Sequence, residues 1–277
     1  MMGSGEALIY GIIQGLTEFL PVSSSAHLAL LPHFLNIKDP GVTFDLIMHL
    51  GTALSVVVYF RKKLYASLKV FIPACKIWQK NSDSHVQLVR YLIFSTVFSF
   101  SIIMLIRPFS EKWGRSPSLI AINLAVFGLF LFISDKYSKT RGEILMTNEG
   151  ELKTSLLIGL SQAFAIFPGV SRSGATITVA RYLGLSKKEA SEYSFLLSLP
   201  VILGGIVFKG REFLSNSETG QEQYIISIII GVVVSFVVGM LAIHFFIKII
   251  TKFGLLSFFL YRAGLAILVM VFLQYSK

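Results

Sequence analysis

The segment Gly11-Ile-Ile-Gln-Gly-Leu-Thr-Glu-Phe-Leu-Pro-Val-Ser-Ser-Ser25 returns 148 residues later as Gly159-Leu-Ser-Gln-Ala-Phe-Ala-Ile-Phe-Pro-Gly-Val-Ser-Arg-Ser173. Gly, Gln, Phe, Val, Ser and Ser match without a gap. Each copy is an apolar stretch broken by proline and a polar cluster, followed by a second short apolar stretch: about residues 7–37 and 156–185. Neither half of such a segment has the roughly 20 apolar residues that a membrane crossing needs. Non-helical backbone is tolerated at membrane depth only when it is buried in protein or lines a wet cavity. The two segments are therefore predicted to be re-entrant helical hairpins.

Around them lie six runs that are long enough to span: Phe44 to Phe60, Leu88 to Ile106, Ser118 to Ser134, Ala190 to Phe208, Tyr224 to Ile247 and Leu255 to Leu273. The chain is 54% hydrophobic, only 14% charged and has a mean hydropathy of +0.71, against roughly 25% charged residues in soluble domains. The prediction is an all-α integral membrane protein forming a single domain over 1–277. It comprises six transmembrane helices and two re-entrant hairpins, with one repeat over 1–150 and the other over 151–277. Tyr59-Phe60-Arg61 matches Val207-Phe208-Lys209 at the same offset. Three crossings per half place the second copy upside down, the arrangement in which working sites form where broken helices meet near the midplane.

Loop charge orients the chain. Arg61, Lys62, Lys63, Lys69, Lys76 and Lys80 share a side with Lys136, Lys139, Arg141, Lys153, Lys187, Lys188, Lys248 and Lys252. The other side holds Lys38, Arg107, Lys112, Arg115, Lys209, Arg211 and Lys277. The richer side is predicted to be cytoplasmic, which leaves both termini and the access to the first hairpin outside. The net charge of +10 belongs to these loops and is a membrane-surface signal, not a nucleic-acid-binding face. The start, Met-Met-Gly-Ser-Gly-Glu, lacks a basic n-region, so the first apolar segment is expected to stay in the protein. A single cysteine, Cys75, excludes an internal disulfide and a zinc cluster.

Two polar clusters carry the chemistry. Gln14 and Glu18 are four apart and share a helix face; Ser23, Ser24 and Ser25 then precede a new helix with His27 one turn in. Capping explains some of the serines. It does not explain an intramembrane carboxylate, which marks a functional site by default. The second cluster, Pro168-Gly-Val-Ser171-Arg172-Ser173-Gly174-Ala-Thr176, joins a flexible turn and successive helix-start N–H groups to an arginine fork, a pattern suited to phosphate or carboxylate. The blander alternative is a capped turn whose arginine pairs with Glu18. Asp45 and His49, at i and i+4, read as a supporting pair; Arg262 reads as a secondary anion contact; Arg181 reads as snorkelling or paired with Glu189 or Glu192. Gly169-Val-Ser171-Arg-Ser173 has serine where a nucleophile elbow needs its second glycine, and no lysine follows a glycine-rich loop as in a P-loop. The Ser-Arg motif of acid-phosphatase-like lipid phosphatases is also excluded, because Thr178 and Tyr182 replace its histidine and aspartate.

Gln14-x-x-x-Glu18, the following Pro-Val-Ser-Ser-Ser-Ala-His27, Phe44-Asp-Leu-Ile-Met-His-Leu-Gly-Thr52 and the second cluster together resemble the bacterial undecaprenyl-pyrophosphate phosphatases, also known as bacitracin-resistance proteins. The likeness covers essentially the whole chain. It implies a plasma-membrane enzyme that converts the C55 lipid pyrophosphate to its monophosphate for cell-wall synthesis, with a divalent cation, Mg2+ or Ca2+, and an active site open to the outer face. Position by position it places the acidic motif on Gln14 and Glu18, the serine-histidine segment on Ser24 and His27, and the arginine motif on Ser171, Arg172, Ser173 and Thr176. Gln14 departs from the glutamate of many members, Ser25 from threonine and Ala26 from glycine. The expected roles follow. Arg172 and the backbone N–H groups behind Ser173 hold the phosphoryl, Ser24 or His27 attacks or delivers water, with His27 placed to face Ser24 across the turn as its base, and Glu18 is the base or the cation ligand. Gln14, Ser23, Ser25, Ser171, Ser173, Gly174 and Thr176 are expected to bind substrate. The partners expected are an isoprenoid pyrophosphate and the bilayer, with a homodimer left open. A secondary transporter or flippase for a phosphorylated lipid or anionic solute is the competing reading.

Overall fold

The computed structural model describes residues 3–37, 39–76, 83–113, 116–140, 151–215 and 222–275. Lys38, Lys80, Arg115, Arg141 and Lys277, and the side chains of Lys209 and Arg211, lie outside the described residues. The described residues form helices and turns, with no strand among them. In chain order the helices are α1 (Ser4–Thr17), α2 (Ser24–Leu35), α3 (Gly41–Tyr59), α4 (Arg61–Lys69), α5 (Phe71–Cys75), α6 (Ser84–Trp113) and α7 (Pro117–Tyr137). They continue as α8 (Glu151–Ala163), α9 (Arg172–Tyr182), α10 (Lys187–Ser215), α11 (Glu222–Phe253) and α12 (Leu256–Tyr275).

Five of them, α6, α7, α10, α11 and α12, are long and apolar enough to cross a membrane. The sixth expected span is helix α3, which breaks at Phe60 and turns 77° into α4. Sequence pattern located the end of this run but not the bend. Most of the apolar surface of the long helices faces outward; only 22% to 50% of each candidate span is buried within the protein. With no soluble core to cover these faces, the chain is a multi-pass membrane protein.

Each of the two short segments forms a pair of helices joined by a turn, and for the same local reasons. Helix α1 stops at Thr17 ahead of Pro21, which has no N–H to continue a helical ladder. Ser23 then takes a positive φ of 76° and accepts the N–H of Ala26 on its hydroxyl at 3.3 Å. In the second hairpin α8 tightens into a 3-10 turn at Phe164–Ile166, and Gly169 turns at φ 94°. Ser171, at φ 70°, accepts the N–H of Gly174 at 3.1 Å. These are ordinary N-cap bonds made on strained serines. Ser23 and Ser171 are 148 residues apart.

The hairpins pack crosswise: α1 lies on α11, and α8 lies on α6. Glycine allows this approach. A Cβ at Gly11 would sit 2.7 Å from the carbonyl oxygen of Gly231, and one at Gly159 would sit 2.7 Å from that of Ser95. Helix α7 packs on α12, whereas α3 contacts α10 and α11. Beneath the first turn, buried Phe19 stacks edge-on with Phe195, which also meets Phe60 and Phe246. This aromatic cluster fixes the end of α1, and with it the neighbouring Glu18.

Candidate active site

Glu18 and Arg172 each sit at the end of a helix that disfavours their charge. Glu18 is the C-cap of α1, at the negative end of that helix, and Arg172 is the first residue of α9, at the positive end. Each offsets the other's misplacement: Arg172 Nη2 donates to Glu18 Oε1 at 2.6 Å, while its Nη1 donates to the Ser194 carbonyl at 2.9 Å. Their side chains are only 13% and 5% exposed, so neither charge is left to water. Breaking such a pair from one side leaves an uncompensated buried charge.

The second oxygen of Glu18 collects the remaining polar groups. The Ser24 hydroxyl donates to Oε2 at 2.6 Å, Gln14 Nε2 donates to it at 3.0 Å, and His49 Nε2 lies 3.3 Å away. Gln14 Nε2 also reaches the Thr52 hydroxyl at 3.4 Å. Four elements, α1, α2, α3 and α9, thus converge on one carboxylate.

Two sequence-based pairings are replaced. His49 was expected to lean on the Asp45 carboxylate; instead its Nδ1–H donates to the Asp45 backbone carbonyl at 2.7 Å, which turns Nε2 toward Glu18. It joins the site itself. His27 was expected to face Ser24 as its base. Its Nδ1–H donates to the Ser23 carbonyl at 2.7 Å, so Nε2 is the acceptor, bonded by the Tyr261 hydroxyl at 2.7 Å with the two rings stacked. The group on Ser24 is Glu18.

Arg262, expected to be an anion contact, is fully buried and spends its guanidinium on backbone carbonyls from both hairpin turns and from α7. Arg181 pairs with neither glutamate; its Nε lies 4.0 Å from Asp135, and Glu192 binds Lys63 at 2.8 Å. The remaining candidates hold the turns together. Ser23 Oγ accepts the Gly169 N–H at 3.1 Å, and the Ser25 and Ser23 hydroxyls lie 3.3 Å apart. The Ser171 and Ser173 hydroxyls are also 3.3 Å apart, with Ser173 donating to the Leu20 carbonyl at 3.2 Å. Thr176 donates to the Arg172 carbonyl at 2.8 Å and bonds the Ser194 hydroxyl at 2.7 Å.

The family model for the bacitracin resistance protein BacA matches residues 7–268, nearly the whole chain. The chain belongs to the BacA family. This is the undecaprenyl-pyrophosphate phosphatase family, which implies a phosphatase and bacitracin resistance as the class of function.

For a BacA-family phosphatase, what surrounds Glu18 matters as much as its ligands. A cavity of ≈ 420 Å³ opens beside the site. Its walls are mainly apolar, from Leu28, Leu46, Phe100, Ile103 and Met104, while Ser25 and His49 supply polar wall on the Glu18 side. Arg107 and Glu111, ion-paired at 2.6 Å, lie on the same cavity. Sequence reasoning missed Tyr261 and Ser194 and undervalued His49. No local pattern marks the first two, because their partners lie 234 and 22 residues away in the chain.

The residues present do not by themselves fit a resident cation. Among the described residues no group of three or more His, Cys, Asp or Glu side chains is placed to hold a metal. Glu18 already has an arginine on one oxygen and three groups around the other.

Proposed function

We propose that this protein hydrolyses undecaprenyl pyrophosphate to undecaprenyl phosphate and inorganic phosphate at the outer face of the bacterial plasma membrane, within an inverted repeat of two re-entrant hairpins and six crossings. The observation that carries the reading is Glu18, buried at the meeting of both hairpins, with a serine hydroxyl on one oxygen and an arginine fork on the other. This is a nucleophile, a base and a clamp for phosphoryl charge within one contact shell.

The chemistry follows from the bonds. Ser24 Oγ attacks the terminal phosphorus as its proton passes to Glu18 Oε2. The anhydride bond breaks and the lipid monophosphate leaves with the proton that Glu18 carries; water then attacks the phosphoserine, giving a proton to Glu18 that returns to Ser24 Oγ as phosphate departs. Arg172 exchanges Glu18 for the phosphoryl oxygens and stabilises the charge spread over them. Helix-start N–H groups around Ser24 and Arg172 lie close to the same region. His49 holds Glu18 in place, and the apolar cavity receives the first isoprene units. A divalent cation, as family resemblance implies, would take most of its ligands from the pyrophosphate, as Mg2+ commonly does.

The test is phosphate release by purified protein in detergent with C55 and C15 pyrophosphates. Release from both, faster with C55, is expected. Movement of a phosphorylated lipid across vesicles without phosphate release would overturn the reading in favour of a transporter.

A further inference from the structure

Arg262 makes five bonds, none to a side chain. Its Nε donates to Leu124 O at 3.0 Å and its Nη1 to Pro21 O at 3.2 Å. Its Nη2 is shared among Gly169 O at 2.8 Å, Val170 O at 3.1 Å and Asn123 O at 3.3 Å. Pro21 and Gly169 are 148 residues apart, the offset of the repeated segment. One guanidinium therefore joins the corresponding carbonyls of the two turns. The residue has no solvent exposure, and among the described residues its hydrogen bonds all go to backbone carbonyls. A charge this deeply buried is costly unless its position does work.

What those carbonyls control lies one or two residues on. Two residues after Pro21 comes Ser23 at φ 76°, and directly after Val170 comes Ser171 at φ 70°. Positive φ is unfavourable for serine and persists only where the surroundings over-determine it. Each strained serine caps its helix and is followed at once by a residue that grips Glu18: Ser24 after Ser23, Arg172 after Ser171. In a trans peptide a carbonyl turned toward Arg262 turns the following N–H the opposite way. Accordingly Val22 N–H folds back on Leu20 O at 2.7 Å, and Val170 N–H folds back on Phe167 O at 3.2 Å. Asn123 assists from α7, its Nδ2 donating to Pro168 O at 2.9 Å.

We propose that Arg262 is the positioning residue of the active site: by gathering the corresponding carbonyls of both turns, it holds the two strained serines and thereby aims Ser24 and Arg172 at Glu18. The inference rests on the phosphatase reading above. It assigns Arg262 no contact with substrate.

The test compares phosphate release by wild type, Arg262→Met, Arg262→Lys and Gly128→Ala, each alone and in a Ser24→Ala background, with melting temperatures recorded. Gly128 lies on α7, and a Cβ there would come 3.2 Å from Arg262 Nε, so alanine nudges the guanidinium without removing it. Arg262→Met is expected to lose at least about a hundredfold in kcat with KM within about threefold, and Arg262→Lys about tenfold, because an ammonium cannot span the same carbonyls. Gly128→Ala is expected to lose a few-fold in kcat without a drop in melting temperature, since alanine favours the helix. In Ser24→Ala the cost of Arg262→Met shrinks by at least about tenfold, because one of the groups it aims is gone. Losses that multiply in both backgrounds, a rise in KM at constant kcat, or wild-type kcat in Arg262→Lys and Gly128→Ala would overturn the proposal. If the Arg262 variants fail to fold, Gly128→Ala decides. A wild type that releases no phosphate defeats the reading of function instead.

Discussion

Ser24 and Arg172 stand 148 residues apart, each the first residue of the second helix in its hairpin, and each bonds a different oxygen of Glu18 at 2.6 Å. The two turns share their caps, their serine pairs and their strained φ. The chemistry sits where they differ: a hydroxyl against a guanidinium at this position, and Glu18 against Ile166 four residues beyond the paired glutamines. The matching caps give two similar cradles. In the proposed reaction the positions that differ make a nucleophile side and a clamp side around a single carboxylate.

Glu18→Gln is expected to cut kcat at least about a hundredfold in a folded protein, because an amide cannot take the Ser24 proton. Arg172→Lys should fail by a similar factor, since a point charge cannot replace a fork that holds both Ser194 O and Glu18. Steady-state phosphate release and a melting curve on each variant check both. Near wild-type turnover in Arg172→Lys would reduce the fork to a structural tie.

Gln14 is expected to decide how the site treats cations. Its Nε2 donates to Glu18 Oε2 at 3.0 Å, so Gln14→Glu replaces a donor by a second carboxylate, and two carboxylates that close need a shared proton or a cation between them. The substrate-free wild type is expected to melt at the same temperature, within about 1 °C, with Mg2+ or with chelator, whereas Gln14→Glu gains several degrees from Mg2+. A wild-type melting temperature that falls by several degrees on chelation would reveal a resident cation.

The hairpins were legible because proline, glycine and serine clusters act locally, within a few residues of where they stand. Pro21 and Pro168-Gly169 end one helix, and Ser23 and Ser171 begin the next, as their sequence neighbourhood requires. Glu18 and Arg172 were legible as charges that apolar segments do not carry without reason. Spacing failed where a side chain had a choice between near and far partners. His49 at i+4 from Asp45 took that residue's carbonyl and gave its other nitrogen to Glu18, 31 residues away in sequence. His27, three residues from Ser24, turned to Tyr261 instead. The role of Arg262 depends on carbonyls 92 to 241 residues distant, which no local pattern encodes.

Orientation is testable at two described positions. In a Cys75-free background, a cysteine at Lys112, at the end of α6, is expected to react with an impermeant maleimide added to intact cells, and one at Lys139, just after α7, is not. The motive is the lysine and arginine excess on the loops that share a side with Lys139. The reverse labelling would put the cavity beside Arg107 on the cytoplasmic face and remove the basis for outer-leaflet recycling.

The attacking group can be identified by what it leaves behind. Ser24 has its hydroxyl on Glu18 Oε2 at 2.6 Å and needs no movement of His27 to lose its proton. Both nitrogens of His27 are engaged, one on Ser23 O and one on Tyr261, so a direct attack by the ring would first break its bond to Tyr261. Serine attack is therefore the expected route. A phosphoserine survives acid quenching, whereas a phosphohistidine is lost in acid and survives base. Rapid acid quench with labelled pyrophosphate, followed by mapping of the peptide containing residues 21–31, is expected to place label on Ser24, and Ser24→Ala to abolish the label and leave only a residual turnover. His27→Ala is expected to slow turnover while leaving the acid-stable label on Ser24. A base-stable adduct on His27 would reverse the assignment, and no adduct under either quench with inversion at a chiral phosphate would mean that water attacks directly.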